Sequence, residues 1–236
     1  MKGYIKLLAI ILMMLPVVTS SCKEHIKEIE NLDLKQLLPD YQNIDVEIGK
    51  NQSTIVVIDS LITISSGGND IWGKSDSFNY LYHKYQGDFD FMFKLNSFNA
   101  AAKYSKVGIM ARKELNSGSK HVYFLAFSDN SPRNNNNGGF EFQYRAEKNS
   151  DSKAIYPDVN VSQEQFLISY PNVWLRMKRK GDHFESLYSD DGTNWLTYSN
   201  FQTEMPASLF LGIAITSNDE SQISTASFSC VQHNCK

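Results

Sequence analysis

Trp174-Leu175-Arg176-Met177-Lys178-Arg179-Lys180-Gly181-Asp182-His183-Phe184-Glu185-Ser186-Leu187-Tyr188-Ser189-Asp190-Asp191-Gly192-Thr193-Asn194-Trp195 reads as two strands around one tight turn, closed by a second turn. Gly181 stands at the first central position of a two-residue loop, where a type II′ hairpin needs a positive φ. With the turn fixed there, Arg179/Phe184, Met177/Ser186 and Leu175/Tyr188 pair on one face. Lys178/Glu185, Arg176/Leu187 and Trp174/Ser189 pair on the other. The first face is expected inside and the second outside, because successive side chains of a strand point to opposite sides of the sheet. A slip of one residue would exchange the two faces, so the register is a strict expectation.

Working outward, the same kind of segment recurs. Short runs rich in β-branched and aromatic residues, bounded by Gly, Asn, Asp and Ser clusters, predict strands at Thr54 to Ile58, Leu61 to Ser65, Phe78 to Lys84, Phe89 to Leu95, Ser105 to Lys113 and Lys120 to Phe127. Further strands are predicted at Phe140 to Ala146, Val173 to Arg179, His183 to Tyr188, Leu209 to Thr216 and Ala226 to Val231. No helical pattern of comparable strength alternates with them, which argues for an all-β sandwich over a parallel α/β sheet. Before them, residues 22–40 carry Ile26, Ile29, Leu32, Leu34, Leu37 and Leu38 at mixed three- and four-residue spacing. That suits a tether with a short marginal helix, stopped at Pro39-Asp40, with the domain proper over residues 41–236.

The 236 residues, 42% apolar and 12% aromatic, suffice for a sizeable core. A formal net charge of −3, with Lys2 and Lys6 both in the N-terminal segment, offers nothing to a polyanion and sets nucleic acid aside as a partner. Residues 1–21 combine those two lysines with an apolar run from Leu7 to Val18, too short to span a bilayer, then Thr19-Ser20-Ser21 before Cys22. This resembles a bacterial lipoprotein signal, which implies lipidation at Cys22, export, and anchoring in an envelope membrane, the outer one by expectation. Thr19 stands where Leu is usual, so ordinary secretory cleavage is the alternative. Export would bring Cys230 and Cys235 into an oxidising compartment, where a disulfide between them or two unpaired thiols are both open. The five histidines are scattered, without zinc-ligand spacing.

Alternation also assigns candidate site residues. In Phe140-Glu141-Phe142-Gln143-Tyr144-Arg145 the aromatic side is core, and Glu141, Gln143 and Arg145 face solvent or a cleft. Gly108, Met110 and Arg112 share a face, Arg112 being either a cleft residue or an ion-pair partner within the sheet. Trp72, set among glycines in Gly67-Gly68-Asn69-Asp70-Ile71-Trp72-Gly73, is either exposed at a cleft edge or a buried aromatic wrapped by turns. Trp174 beside Arg176 and the Lys178/Glu185 pair suits a sugar, the indole stacking on a pyranose while charged groups hydrogen-bond its hydroxyls. Equally, the Trp can pack under a loop and the charges can form a solvated ladder. Asn69 and Asp70 offer oxygens for a structural calcium, a thin basis for a metal site.

Gly68-Asn69-Asp70-Ile71-Trp72-Gly73 with Ser75-Asp76-Ser77-Phe78, then Lys106-Val107-Gly108-Ile109-Met110-Ala111-Arg112, Gly118-Ser119-Lys120-His121, Phe142-Gln143-Tyr144-Arg145, and Trp174-Leu175-Arg176 with Tyr188-Ser189-Asp190-Asp191-Gly192 and Trp195 occur in that order. Together they resemble the concanavalin A-like jelly-roll domains of the family called DUF1349, related to the β-xylosidase C-terminal module. The resemblance implies a two-sheet jelly roll whose concave sheet binds an oligo- or polysaccharide. Trp72, Arg112, Gln143, Arg145, Trp174 and Arg176 are the expected ligand contacts, with no cofactor. A glycoside hydrolase needs paired carboxylates across the scissile bond; no Glu-x-Asp-x-x-Glu-like strand is present, and Glu141 with Glu185 is the pair such an enzyme would use. A structural module docking an envelope protein partner is the third reading. The lipid anchor is directly testable: Cys22→Ala is expected to release the protein from membrane fractions into the soluble fraction, and full retention would refute lipidation.

Overall fold

The computed structural model describes residues 34–131, 133, 138–157 and 166–233. Residues 1–21, expected to form a lipoprotein signal, lie outside the described residues, as do Cys22, Cys235 and the run Asn134 to Asn137. The described strands are β1 (Gln42–Val46), β2 (Thr54–Ile58), β3 (Leu61–Ser66), β4 (Ile71–Trp72), β5 (Ser75–Asp76), β6 (Phe78–Gln86), β7 (Phe89–Asn99) and β8 (Lys106–Arg112). They continue as β9 (His121–Ala126), β10 (Phe140–Arg145), β11 (Lys153–Ile155), β12 (Val173–Lys180), β13 (His183–Ser189), β14 (Leu196–Gln202), β15 (Ser208–Thr216) and β16 (Ser224–His233). Two seven-stranded antiparallel sheets result, a front sheet ordered β1-β6-β15-β8-β9-β10-β11 and a back sheet ordered β14-β13-β12-β7-β16-β3-β2. Because β6, β7 and β8 alternate between the sheets, the chain winds as a jelly-roll sandwich.

The β12–β13 hairpin has the predicted register, Trp174 opposite Ser189, Met177 opposite Ser186 and Arg179 opposite Phe184. Gly181 turns with φ +60°. Leu175 and Met177 are fully buried against the facing sheet, and Trp174, Arg176 and Lys178 lie on the outer surface. The one charge on the inner face, Arg179, sits at the sheet end. There it donates to the carbonyls of Gly181, Met205 and Pro206 at 2.7, 2.7 and 2.8 Å.

The main core fills the space between the sheets. Phe91, Phe93 and Leu95 of β7 face Val107 and Ile109 of β8 and Val122 and Phe124 of β9, all at 0% exposure. A second apolar layer lies on the other side of the front sheet, where Tyr80, Met110, Tyr123 and Leu125 are covered by the β4–β5 ribbon through Ile71. The front sheet is therefore buried on both faces, and all seven residues of β8 are buried. The strands absent from the sequence reading (β1, β4, β5, β11 and β14) are short or lie at sheet edges or in that ribbon. The packed unit also starts earlier than residue 41: residues 34–37 form a helical turn, and Leu38 joins the core beside Tyr41. Cys230 is exposed in β16 with φ +54°, in the bulge between Ser229 and Gln232.

Phe93→Ala should cost about 3–5 kcal/mol of stability in urea denaturation. Ile58→Ala, at a position 66% exposed, should change stability by less than about 0.5 kcal/mol.

Candidate functional site

The outer face of the front sheet is assembled by strand alternation. Lys106, Gly108, Met110 and Arg112 of β8 point outward, as do His121, Tyr123 and Leu125 of β9 and Glu141, Gln143 and Arg145 of β10. The register sets them in rows: Arg112 beside His121 beside Arg145, Met110 beside Tyr123 beside Gln143, and Gly108 beside Leu125 beside Glu141.

The first row is an electrostatic knot around Asp76 of the ribbon. Arg145 grips that carboxylate bidentately, Nη2 to Oδ1 at 2.6 Å and Nη1 to Oδ2 at 2.7 Å. Arg112 Nη1 lies 3.4 Å from Oδ2, and His121 Nδ1 3.7 Å from the same oxygen. All four side chains are cut off from solvent. The remaining donors tie down loops: Arg145 reaches the carbonyls of Gly73, Ser117, Ser119 and Ser150, and Arg112 those of Glu114 and Asn116. Burial drives the His121 pKa down to about 3; the nearby Asp76 pulls it up, and the two guanidinium groups push it further down. The imidazole is neutral at pH 7.

At the other end of these rows, the ribbon and the sheet enclose a pocket of about 190 Å³. Lys106, Glu141 and Gln143 form its floor, Asp70 and Trp72 its ribbon side, with Tyr104 and Asn218 on flanking loops. Lys106 Nζ donates to Asp70 Oδ1 at 2.7 Å and to the Ile71 carbonyl at 3.0 Å, and lies 5.5 Å from the centroid of the Trp72 ring. Trp72 is 38% exposed, whereas Glu141 and Gln143 are 2% and 1% exposed. Gln143 Nε2 donates to Glu141 Oε1. Gln143 Oε1 is buried and accepts no hydrogen bond from the protein.

The six expected ligand contacts thus do not converge. Trp72 and Gln143 meet in the pocket. Arg112 and Arg145 lie beneath the ribbon with their donors spent on Asp76 and backbone carbonyls, so they position the ribbon and present nothing to a ligand. Trp174 and Arg176 stand on the outer face of the opposite sheet. There the 189–195 turn closes over Trp174 so tightly that a Cβ on Gly192 would approach the indole to 2.8 Å. Arg176 is held bidentately by Asp90 at 2.6 and 2.5 Å, its guanidinium 5.2 Å from the centroid of the Trp195 ring. The hydrolase pair fails on the same geometry: Glu185 faces Lys178 at 3.4 Å on the back sheet, and Glu141 faces outward from the front sheet. Outward carboxylates on sheets packed ~10 Å apart cannot flank one glycosidic bond. Asp70, considered for calcium, holds Lys106 and the Ile71 amide. Among the described residues no cluster of three or more His, Cys, Asp or Glu has metal-binding geometry. Lys106, which the sequence reading passed over, shares the even-numbered spacing of Gly108, Met110 and Arg112 that should have placed it on this face.

The sequence matches no protein-family model and no curated protein. Solved structures do share the fold. A Saccharomyces cerevisiae protein of unknown function aligns with TM-score 0.59 at 13% identity, over 84% of this chain and 98% of its own. The carbohydrate-binding module CBM66 from Bacillus subtilis aligns with TM-score 0.51 at 14% identity, over 83% and 96%. The GH43 protein BlXynB of Bacillus licheniformis aligns with TM-score 0.50 at 9% identity, over 83% of this chain but only 39% of its own. The chain is an all-β, two-sheet jelly-roll sandwich, a fold it shares with CBM66 and BlXynB.

The buried histidine gives this end of the sheet an acid response. Its folded-state pKa lies below its unfolded value of about 6.5, so between those values the unfolded chain binds the extra proton and stability falls as pH falls. Urea midpoints should therefore decrease more steeply from pH 6.5 toward pH 4 in the wild type than in His121→Gln. Parallel profiles would contradict a buried neutral His121.

Proposed function

We propose that this protein is a non-catalytic, lectin-like carbohydrate-binding module, exported and held at a bacterial envelope by a lipid on Cys22. One observation carries the binding assignment. A half-open pocket sets an exposed indole, Trp72, beside a fully buried amide acceptor, Gln143 Oε1, that no protein group satisfies. Sugars combine an apolar ring face with a fringe of hydroxyl donors, and this site offers a counterpart to each. The shared fold of CBM66, a protein named for carbohydrate binding, supports the same reading. The ordered motifs from Gly68 to Trp195 support membership in the DUF1349 group.

The arrangement of the chain suits presentation from a membrane. Leu38 and Tyr41 dock next to β1, at one edge of the front sheet. The pocket lies over β8 to β10, with β10 five strand spacings, or roughly 24 Å, from β1. Leu38 and Tyr41 therefore pack well away from β10 and its side of the pocket, which leaves room for a polymer there.

A glycan array combined with tryptophan-fluorescence titration tests the assignment. The wild type should bind a subset of glycans and shift its emission. Trp72→Ala and Gln143→Ala should each weaken binding by about 10-fold or more, and Trp174→Phe should leave it unchanged. A blank array with unaltered fluorescence would overturn the proposal.

A further inference from the structure

The pocket is closed along its ribbon side by three sets of contacts. Lys106 Nζ joins the start of β8 to Asp70 Oδ1 and the Ile71 carbonyl at 2.7 and 3.0 Å, which bars the way between sheet and ribbon at that point. Asn218 Nδ2, just after β15, donates to the Asn69 carbonyl at 3.2 Å and ties that loop to the start of the ribbon. Along β10, the residue that follows Gln143 on the same face is Arg145, fully buried and held by Asp76 at 2.6 and 2.7 Å. A chain that enters past Trp72 therefore cannot run on beneath the ribbon.

The size of the space sets a second limit. Its volume of about 190 Å³ is the share of roughly six water molecules in the liquid, and falls below the ~300 Å³ at which pockets begin to enclose drug-sized ligands. One sugar ring with part of its hydroxyls fills it. Gln143, whose Oε1 lacks a protein donor, is 1% exposed, whereas Trp72 at 38% stands at the mouth. A ring set against both lies inside the pocket, and the rest of its chain leaves outward past the indole. An internal residue of a polysaccharide carries chain at two positions of its ring, and one of them would be directed into the closed side.

We infer that the pocket takes the terminal residue of a glycan and excludes internal residues. This rests on the carbohydrate-binding reading and narrows its ligand to a chain end.

The test uses a glycan array whose chains are attached through their reducing ends. Each glycan that binds is compared with two others. One keeps its terminal residue and linkage on a different interior, and one carries a single further residue of a different sugar on that terminus. The wild type should bind the first within about 3-fold of the parent and the second at least about 10-fold more weakly. The free methyl glycoside of the terminal residue should displace the protein from the parent glycan. Binding that survives the added residue, or that follows the interior of the chain, overturns chain-end recognition while leaving carbohydrate binding intact. A blank array removes the carbohydrate reading itself, and the inference with it. Gln143→Ala, checked for folding by circular dichroism, should weaken binding of the chain ends by about 10-fold or more. Undiminished binding by the folded variant would place the ends elsewhere and overturn the assignment to this pocket. The wild-type comparisons decide chain-end recognition even where the variant does not fold.

Discussion

The carboxylate of Asp76 has no solvent to rely on, and its charge is met by Arg145 from β10, Arg112 from β8 and the neutral ring of His121 from β9. This contact joins a ribbon whose strands are only two residues each to the outer face of a seven-stranded sheet. Ribbons of that length do not hold themselves together. The knot places Ile71 over the second apolar layer, and with it Trp72 and Asp70 at the pocket. Replacing a buried ion cluster by apolar groups can be neutral or stabilising, whereas removing one partner strands the others and costs about 3–5 kcal/mol. Its role here is to specify where the ribbon sits. The pocket exists because the ribbon sits there.

Burial of the front sheet on both faces makes such a knot necessary. An antiparallel sheet in a sandwich usually shows one face to water, but here the outer face carries its own aromatic layer, including Tyr80 and Tyr123. The Tyr80 hydroxyl shares its one proton between the carbonyls of Met110 and Phe210, and the Tyr123 hydroxyl donates to that of Ala214. Polar side chains that alternation sends to that face must find partners under the ribbon or open onto a cavity. Arg112 and Arg145 follow the first course, and Glu141 and Gln143 the second. Two neighbouring polar positions on one strand, Gln143 and Arg145, thus have different roles because the ribbon covers one end of the strand and stops short of the other.

The β12–β13 hairpin was legible because its determinants are local: a glycine at the turn and an alternating pattern long enough to fix the register. The same alternation identified Glu141, Gln143 and Arg145 as a single face. It could not say whether that face was open, since the cover comes from Asp76, 69 residues before Arg145. Nor could alternation show that the outer face of β12 and the outer face of β10 belong to opposite sides of a sandwich. For that reason Trp174 and Arg176 were grouped with residues they never meet. A two-residue strand has no periodicity to read, so β4 and β5 were invisible, and with them the element that makes the site.

The most direct test of this account is amide hydrogen exchange in Asp76→Asn, followed residue by residue. Amides of the ribbon, residues 70–77, should lose protection, while those of β7 and β12 in the back sheet keep theirs, and Trp72 emission should move toward that of a solvated indole. Unchanged protection across the ribbon, or a uniform loss through both sheets, would contradict the claim that this ion cluster builds the pocket.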